Sequence, residues 1–307
     1  MEIASYRGMT ASNFRMGIDL GGTKIAAIVI DAQGGERFRK RVATPSGDYI
    51  ATVRALADLV TEADAAVGGR VTVGVGIPGT VSPATGLVKN SNSLCLIGHA
   101  LDQDLAAAVG RPVRLANDAD CFALSEASDG AAADAAIVFG VILGTGVGGG
   151  LVINKQIVRG PNAITGEWGH NPLPWPYAEE LPGPKCYCGL NGCIETFLSG
   201  PALSRSYGGD GLSANDIVDR ANAGEAAAQT MLAIYVDRLA RATASVINLI
   251  DPHVIVLGGG LSNIAQLYTD VPKRWPAHVF SDVVVTKLVP PKFGDASGVR
   301  GAAWLWD

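Results

Sequence analysis

Glu167-Trp-Gly-His170, followed by Cys186-Tyr-Cys188-Gly-Leu-Asn-Gly-Cys193-Ile-Glu195, is the stretch on which the reading of this chain turns. One imidazole and three thiols, with glycines to bend the backbone around them, supply four soft ligands of the kind tetrahedral zinc prefers. If His170, Cys186, Cys188 and Cys193 fill all four positions, no open position remains for Lewis-acid chemistry. The expected zinc is therefore a structural staple that fixes where Glu167, His170 and Glu195 point.

Outward from this loop, three glycine turns close apolar runs. Gly21-Gly-Thr23 separates Met16-Gly-Ile-Asp-Leu20 from Ile25-Ala-Ala-Ile-Val-Ile30, the pattern of a β-hairpin. Ala135–Leu143 runs into Gly144-Thr-Gly-Val-Gly-Gly-Gly150, and Val254-Ile-Val-Leu257 runs into Gly258-Gly-Gly260. One such turn is an ordinary bend. Three at strand ends can converge backbone N–H groups on an anion, and Thr23 and Thr145 add hydroxyls at equivalent places, so the turns read as a two-sided phosphate clamp. The Gly144–Gly150 run approximates a dinucleotide-binding fingerprint, but the apolar strand after it argues against that setting. Asp19 stands at the last strand position before the first turn, where a carboxylate can meet phosphate-bound magnesium directly or through water. Lys24 is given no chemistry.

Apolar spacing predicts helices over 49–66, 101–109, 119–130 and 226–250, and strands over 71–77 and 113–116. Asn117-Asp118 closes the second of these strands and opens a helix, so either residue suits an N-cap. The plan of strand, glycine turn and strand recurs in the second half. The chain thus divides into an N-terminal extension (1–15), an α/β domain (16–117) and a second α/β domain (118–296) containing the zinc loop 167–195. The terminal helix, about 297–307, carries Trp304 and Trp306 and is a candidate to pack back on the first domain.

A chain of 307 residues with 48% hydrophobic content has material for about two buried cores. A net charge of −5 without a long Lys/Arg run argues against nucleic acid as partner. No run approaches the length of a membrane helix and no signal peptide precedes the fold, so a cytoplasmic protein with no membrane partner is expected. Cys95 and Cys121 fall outside the loop and suit packing in a reducing compartment. His99, His253 and His278 lie outside any ligand-like grouping, and Trp168 and Trp175 suit either a pocket wall or core packing.

The zinc loop together with Asp19-Leu-Gly-Gly-Thr-Lys24 resembles the ROK family of bacterial sugar kinases, repressors and open reading frames, from Met16 to the Gly-Ala-Ala-Trp-Leu-Trp end. Within it the chain is most similar to fructokinases of the manno(fructo)kinase type, on residues 76–86, Lys89-Asn90-Ser91-Asn92-Ser93, 167–175 and 297–306. The resemblance implies a two-domain actin-like ATPase (ribonuclease H-like) α/β fold with an interdomain cleft and a zinc-binding loop. It implies ATP, Mg2+ and structural Zn2+ as cofactors, sugar and ATP as small-molecule partners, and a homodimer. Gly21, Gly22, Thr23, Gly144, Thr145 and Gly146 would hold the nucleotide phosphates, with Gly258, Gly259 and Gly260 beside the adenosine. Asp118 matches the catalytic base, and Asn92, Asn117, Asp118, Glu167, His170 and Glu195 match positions that bind sugar. His170 would serve twice, with one ring nitrogen on zinc and the other on a sugar hydroxyl. The expected reaction is phosphorylation of fructose at the 6-hydroxyl, with mannose as a further substrate. N-acetylglucosamine kinase and glucokinase stand as alternatives, with a non-catalytic sugar sensor more distant. Fewer than about twenty residues precede the fold, too few for the helix-turn-helix module of a repressor.

Overall fold

The computed structural model describes residues 13–208 and 211–306. Residues 13–121, 161–163 and 298–306 form one compact unit, and 122–160, 164–208 and 211–297 form another.

In the first unit, β1 (Phe14–Leu20) and β2 (Lys24–Asp31) make the expected hairpin, and β3 (Glu36–Ala43) extends it antiparallel. α1 (Tyr49–Val67) begins where the Asp48 carboxylate accepts from the Ala51 N–H and ends at Gly68 in the left-handed conformation. β4 (Thr72–Ile77) then pairs parallel with β1. The short strands β5 (Thr80–Val81) and β6 (Val88–Lys89) pair with each other, and α2 (Leu101–Val109) leads to β7 (Val113–Asn117), parallel to β4. The sheet order is β3-β2-β1-β4-β7. Leu20, Ile25, Val29, Leu56, Val60 and Val75 meet in the core of this unit.

α3 (Asp118–Ser128) follows, and the second unit repeats the plan. β8 (Ile137–Leu143), β9 (Val147–Ile153) and β10 (Gln156–Ile157) are antiparallel neighbours. After the zinc loop come α4 (Glu195–Leu198), α5 (Gly200–Tyr207), α6 (Ala214–Asn222) and α7 (Ala226–Ile250). β11 (Val254–Gly258), α8 (Gln266–Arg274) and β12 (Lys287–Val289) complete a sheet ordered β10-β9-β8-β11-β12, with β8, β11 and β12 parallel. Position for position this matches the first sheet. α7 is the core helix of the unit: Leu232, Tyr235, Val236, Leu239 and Ile247 are buried along it, and the Tyr235 hydroxyl donates to the Leu198 carbonyl.

α9 (Ser297–Ala303) groups with the first unit from Gly298 onward. A Cβ on Gly17 would lie 1.9 Å from the Val299 carbonyl oxygen, and one on Gly74 would lie 1.9 Å from that of Ala302. Only glycine lets this helix seat on β1 and β4.

Some expectations change. β1 already holds Phe14 and Arg15, so the extension drawn at 1–15 overlaps a strand; residues 1–12 lie outside the described residues. Residues 161–163 group with the first unit although the second domain was drawn as continuous from 118 to 296, and the first unit reaches Cys121 rather than Asn117. The terminal helix ends at Ala303, leaving Trp304 and Trp306 beyond it. Arg15 lies over the Trp304 ring, Arg114 over that of Trp306, and Trp306 Nε1 donates to the Val73 carbonyl. β3 was not foreseen, because its sequence Glu-Arg-Phe-Arg-Lys-Arg-Val-Ala places charge at most positions. Such a strand is stable at a sheet edge, where one face and one side meet water.

Candidate active site and zinc loop

In the first unit the candidate groups stand on the C-terminal ends of the parallel strands, where open α/β sheets present ligand-binding loops. Asp19 is the penultimate residue of β1, and Gly21, Gly22 and Thr23 form the turn after it. Burial pushes the Asp19 carboxyl above its ordinary value, and the charges of Lys24 and Arg41 offset only part of that rise. The Gly21 N–H is spent on the Lys24 carbonyl at 3.1 Å, so Gly22 and Thr23 carry the donors of this turn that can face outward. β3 braces the turn through Thr44, whose N–H donates to the Thr23 carbonyl and whose hydroxyl donates to that of Gly21. A cleft of about 430 Å³ beside the turn is lined by Gly22, Thr23, Thr44, Ser46, Asn92 and Ser93 among others.

Asn117 ends β7 and Asp118 opens α3, exposed. The Ala119 N–H lies 2.9 Å from Asn117 Oδ1 and 2.8 Å from Asp118 Oδ1, so both carboxamide and carboxylate cap the helix start. Asn117 Nδ2 donates to the Gly79 carbonyl at 3.1 Å, which fixes the amide beside the end of β4. Gly79, at φ 93°, has no room for a side chain because a Cβ would lie 2.6 Å from the Lys89 carbonyl oxygen. That close approach lays the β5–β6 hairpin over the strand ends and delivers exposed Asn92 to the same edge.

In the second unit the zinc loop docks on the glycine-rich β9. A Cβ on Gly169 would lie 2.1 Å from the Val147 carbonyl oxygen, and one on Gly166 would lie 2.3 Å from that of Gly149. The later glycines of the 144–150 run thus serve the seating of this loop, which is why they resemble a nucleotide fingerprint without being one. Trp168 is a core residue: it is buried, stands edge-on to Phe139, and donates Nε1–H to the Gly148 carbonyl. Trp175 is exposed and stacks on His278.

The ligand atoms of His170, Cys186, Cys188 and Cys193 all lie within 4.8 Å of one another. Cys188 and Cys193 sulfurs are 3.6 Å apart, and Cys186 Sγ is 3.6 Å from His170 Nδ1. A zinc tetrahedron with Zn–S bonds near 2.3 Å has ligand-to-ligand edges of about 3.8 Å, so the four atoms suit that ion. The Leu190 N–H holds the Cys188 thiol low, while burial and the neighbouring thiols push that of Cys193 up. Zinc would resolve that conflict, because coordination favours every thiolate at once.

With Nδ1 turned to the sulfurs, His170 Nε2 lies 3.0 Å from the Tyr187 hydroxyl. Glu167 is exposed at the head of the loop. Glu195, the first residue of α4, accepts the Val147 N–H on Oε2 at 2.9 Å. A Cβ on Gly146 would lie 2.6 Å from that oxygen. Glu195 therefore joins the zinc loop to the second glycine turn, a link that sequence spacing did not show. The Gly144 N–H is spent on the Gly146 carbonyl. Glycine at 258 and 259 is required by packing, since Cβ atoms there would meet the Phe122 ring at 2.6 Å and the Leu143 carbonyl oxygen at 2.4 Å. Gly260 faces open space.

A buried ion network anchors the segment between His170 and the cysteines. Arg241 on α7, 1% exposed, donates to Glu180, to Asp237 and to the Pro174 and Trp175 carbonyls; Arg238 also meets Glu180. Burial would raise the Glu180 carboxyl, but the two guanidinium groups outweigh it and hold it below its usual range. Loop and core helix are thereby tied without the metal.

No helix among the described residues is long and apolar enough to cross a membrane. An N-acetyl-D-glucosamine kinase of Yersinia enterocolitica is 42% identical over 296 residues, covering 94% of this chain and 98% of that protein. A ROK hexokinase from Thermus thermophilus superposes with a TM-score of 0.83 at 30% identity, covering 95% of this chain and 97% of that one. A Streptomyces griseus ROK glucokinase, solved with glucose and AMPPNP, gives a TM-score of 0.76 at 28% identity over 95% and 99%. The fold is thus the actin-like ATPase fold of sugar kinases, as expected. The loop-based leaning to fructokinase is not supported by these relatives, which favour the N-acetylglucosamine alternative. The ROK family profile matches residues 15–307, and the chain belongs to the ROK family.

Proposed function

We propose that this protein is an ATP-dependent N-acetylglucosamine kinase that phosphorylates the 6-hydroxyl. The observation that carries the reading is 42% identity, over nearly the full length, to an N-acetyl-D-glucosamine kinase, in a chain that presents Asp118 exposed at the start of α3. Phosphoryl transfer to an alcohol needs a carboxylate in hydrogen-bond reach of the attacking hydroxyl, to orient it and take its proton. Asp118 fills that role, and Asn117, fixed against Gly79, reads a neighbouring hydroxyl. Asn92, Glu167, His170 and Glu195 supply further sugar contacts, and a site built to pair with hydroxyls rejects analogues that lack them.

Gly22 and Thr23, and likewise Thr145 and Gly146, are the donors for the nucleotide phosphates, and Gly260 is the glycine for the adenosine. Asp19 would hold magnesium, which supplies charge neutralisation on the phosphates. His170, Cys186, Cys188 and Cys193 would hold zinc, which supplies a cross-link that orders the loop. Glu195 and His170 are oriented by that loop; His170 meets the sugar when Nε2 exchanges the Tyr187 hydroxyl for a sugar hydroxyl.

The test is ADP release with magnesium and ATP across N-acetylglucosamine, N-acetylmannosamine, glucose, mannose and fructose, with Asp118→Asn as the blank. The expected outcome is the highest kcat/KM for N-acetylglucosamine. Preference for fructose or glucose would overturn the substrate and keep the reaction; silence on the whole panel would overturn the kinase reading.

A further inference from the structure

β3 is a strand of cations at the edge of the first sheet, and its cations are not equivalent. Arg37 pairs with Asp31 and Arg39 with Glu36, while Lys40, on the opposite face, pairs with Glu62 of α1. Among the described residues Arg41 has no ion pair and no side-chain hydrogen bond, and neither has Lys24 at the start of β2.

The sheet register says what those two cations face. Asp19 pairs with Ala26 across β1 and β2, and Ala26 pairs with Arg41 across β2 and β3, so Asp19, Ala26 and Arg41 form one row. Residues directly opposite one another project to the same face of a sheet, and alternate residues share it. Lys24 and its partner Ala43 therefore lie on that face too. Leu20, Ile25 and Val42 point the other way, into the core with α1. Toward α9 this face is covered, with Gly17 under Val299 and Asp19 beside Gly298; at its outer end Lys24 and Arg41 stand exposed, flanked by Ala26 and Ala43. The Asp19 and Arg41 backbones are two strand spacings apart, about 9.6 Å, near enough for the two charges to act on each other without an ion pair between them. Lys24 and Arg41 are also the two cations whose charge acts on the Asp19 carboxyl. Thr44 ties the end of β3 to Gly21 and Thr23, so the row is held in fixed relation to the turn.

An edge strand needs charge for solubility, yet paired charge serves that end, as it does at Arg37 and Arg39. A chain of net charge −5 that binds a polyanion needs local uncompensated cations where that anion sits. We propose that Arg41, with Lys24, binds the terminal phosphates of the magnesium nucleotide held at the Gly21–Thr23 turn. This rests on the kinase reading for the identity of the anion. Arg41 presents its planar fork to two phosphate oxygens, and Lys24 adds a point charge from the turn itself.

The experiment is calorimetric titration of magnesium with a non-hydrolysable ATP analogue, and separately with AMP, into wild type, Arg41→Ala, Arg41→Lys, Lys24→Met and Arg39→Ala. Arg41→Ala is expected to weaken analogue binding about tenfold or more while leaving AMP within twofold, with an unchanged melting temperature without nucleotide. Arg41→Lys should recover part of the loss, Lys24→Met should show the same selectivity, and Arg39→Ala should match wild type. In turnover, Arg41→Ala should raise the KM for ATP and leave the sugar KM alone. Analogue affinity within twofold of wild type in Arg41→Ala, or an equal loss for AMP, overturns the proposal. Wild type that binds the analogue but turns over no sugar overturns the kinase reading while the Arg41 comparison still decides this one. Wild type that does not bind the analogue overturns both.

Discussion

Gly146→Ala tests whether Glu195 is held in place by the second glycine turn. The new Cβ would sit 2.6 Å from Glu195 Oε2, well inside contact distance, and that oxygen is the free end of a flexible side chain. The carboxylate yields more readily than the backbone, and in yielding it loses the 2.9 Å hydrogen bond from the Val147 N–H. A hydrogen bond to a charged group is worth about 1.5–3 kcal/mol. Glu195 is half-buried and recovers hydration once displaced, so the stability loss should lie at the lower end, a fall of a few degrees in melting temperature. In the proposed sugar site there is no such recovery: if Glu195 meets a sugar hydroxyl, the displaced carboxylate loses it, and the same range converts to roughly a 10- to 150-fold rise in sugar KM. The assay is sugar-dependent ADP release for Gly146→Ala, Glu195→Ala and the double variant. Because both substitutions remove one interaction, the double variant should be no worse than the poorer single one. Additive losses in sugar KM, or a wild-type sugar KM in Gly146→Ala, would refute the reasoning.

Three further outcomes are expected. Asp118→Asn should lower kcat by about 10²–10⁴-fold with the melting temperature intact, because Asp118 is exposed and Asn can still cap α3; near-normal turnover would remove the base assignment. Cys188→Ser should release zinc, measured by metal content, and open residues 183–193 to protease, while 171–181 stays protected by Arg241; a zinc-free, protease-resistant, fully active variant would contradict the staple. Glu180→Ala leaves Arg241 buried without its main partner and should cost about 3–5 kcal/mol in denaturant unfolding. Since the Glu180 carboxyl is depressed in the folded state, its contribution is present above the unfolded value of about 4.3 and is lost as pH falls through the folded value. Wild type should therefore lose its stability advantage over Glu180→Gln as pH falls below the unfolded value of about 4.3, and parallel curves would show that Glu180 does not titrate in this way.

Much of the site was legible because it is local. The four candidate zinc ligands sit close along the chain, and their ligand atoms come together in the fold. The strand, glycine turn and strand pattern announced the hairpins at Gly21–Thr23 and Gly144–Gly146, and the helix and strand runs fell where apolar periodicity put them. Asn117-Asp118 was readable as a strand-to-helix junction, though whether cap or base could not be told from the pair alone; both side chains do cap α3. Substrate choice was not legible, since loops that read hydroxyls are shared among related kinases and small shape differences decide between sugars.

What the sequence by itself determined is the set of local signals: ligand spacing, hairpin turns, helix periods and the family they mark. Only the tertiary structure decided which distant residues share a face or a contact. Asp19 and Arg41 became neighbours through the register of three strands, Glu195 and Val147 through the docking of the zinc loop on β9, and Glu180 and Arg241 through the packing of that loop on α7. Each of these pairs is set by hydrogen-bond ladders and close backbone approach between segments far apart in the chain. Those interactions depend on where elements meet, and nothing in the local pattern of either segment encodes its partner.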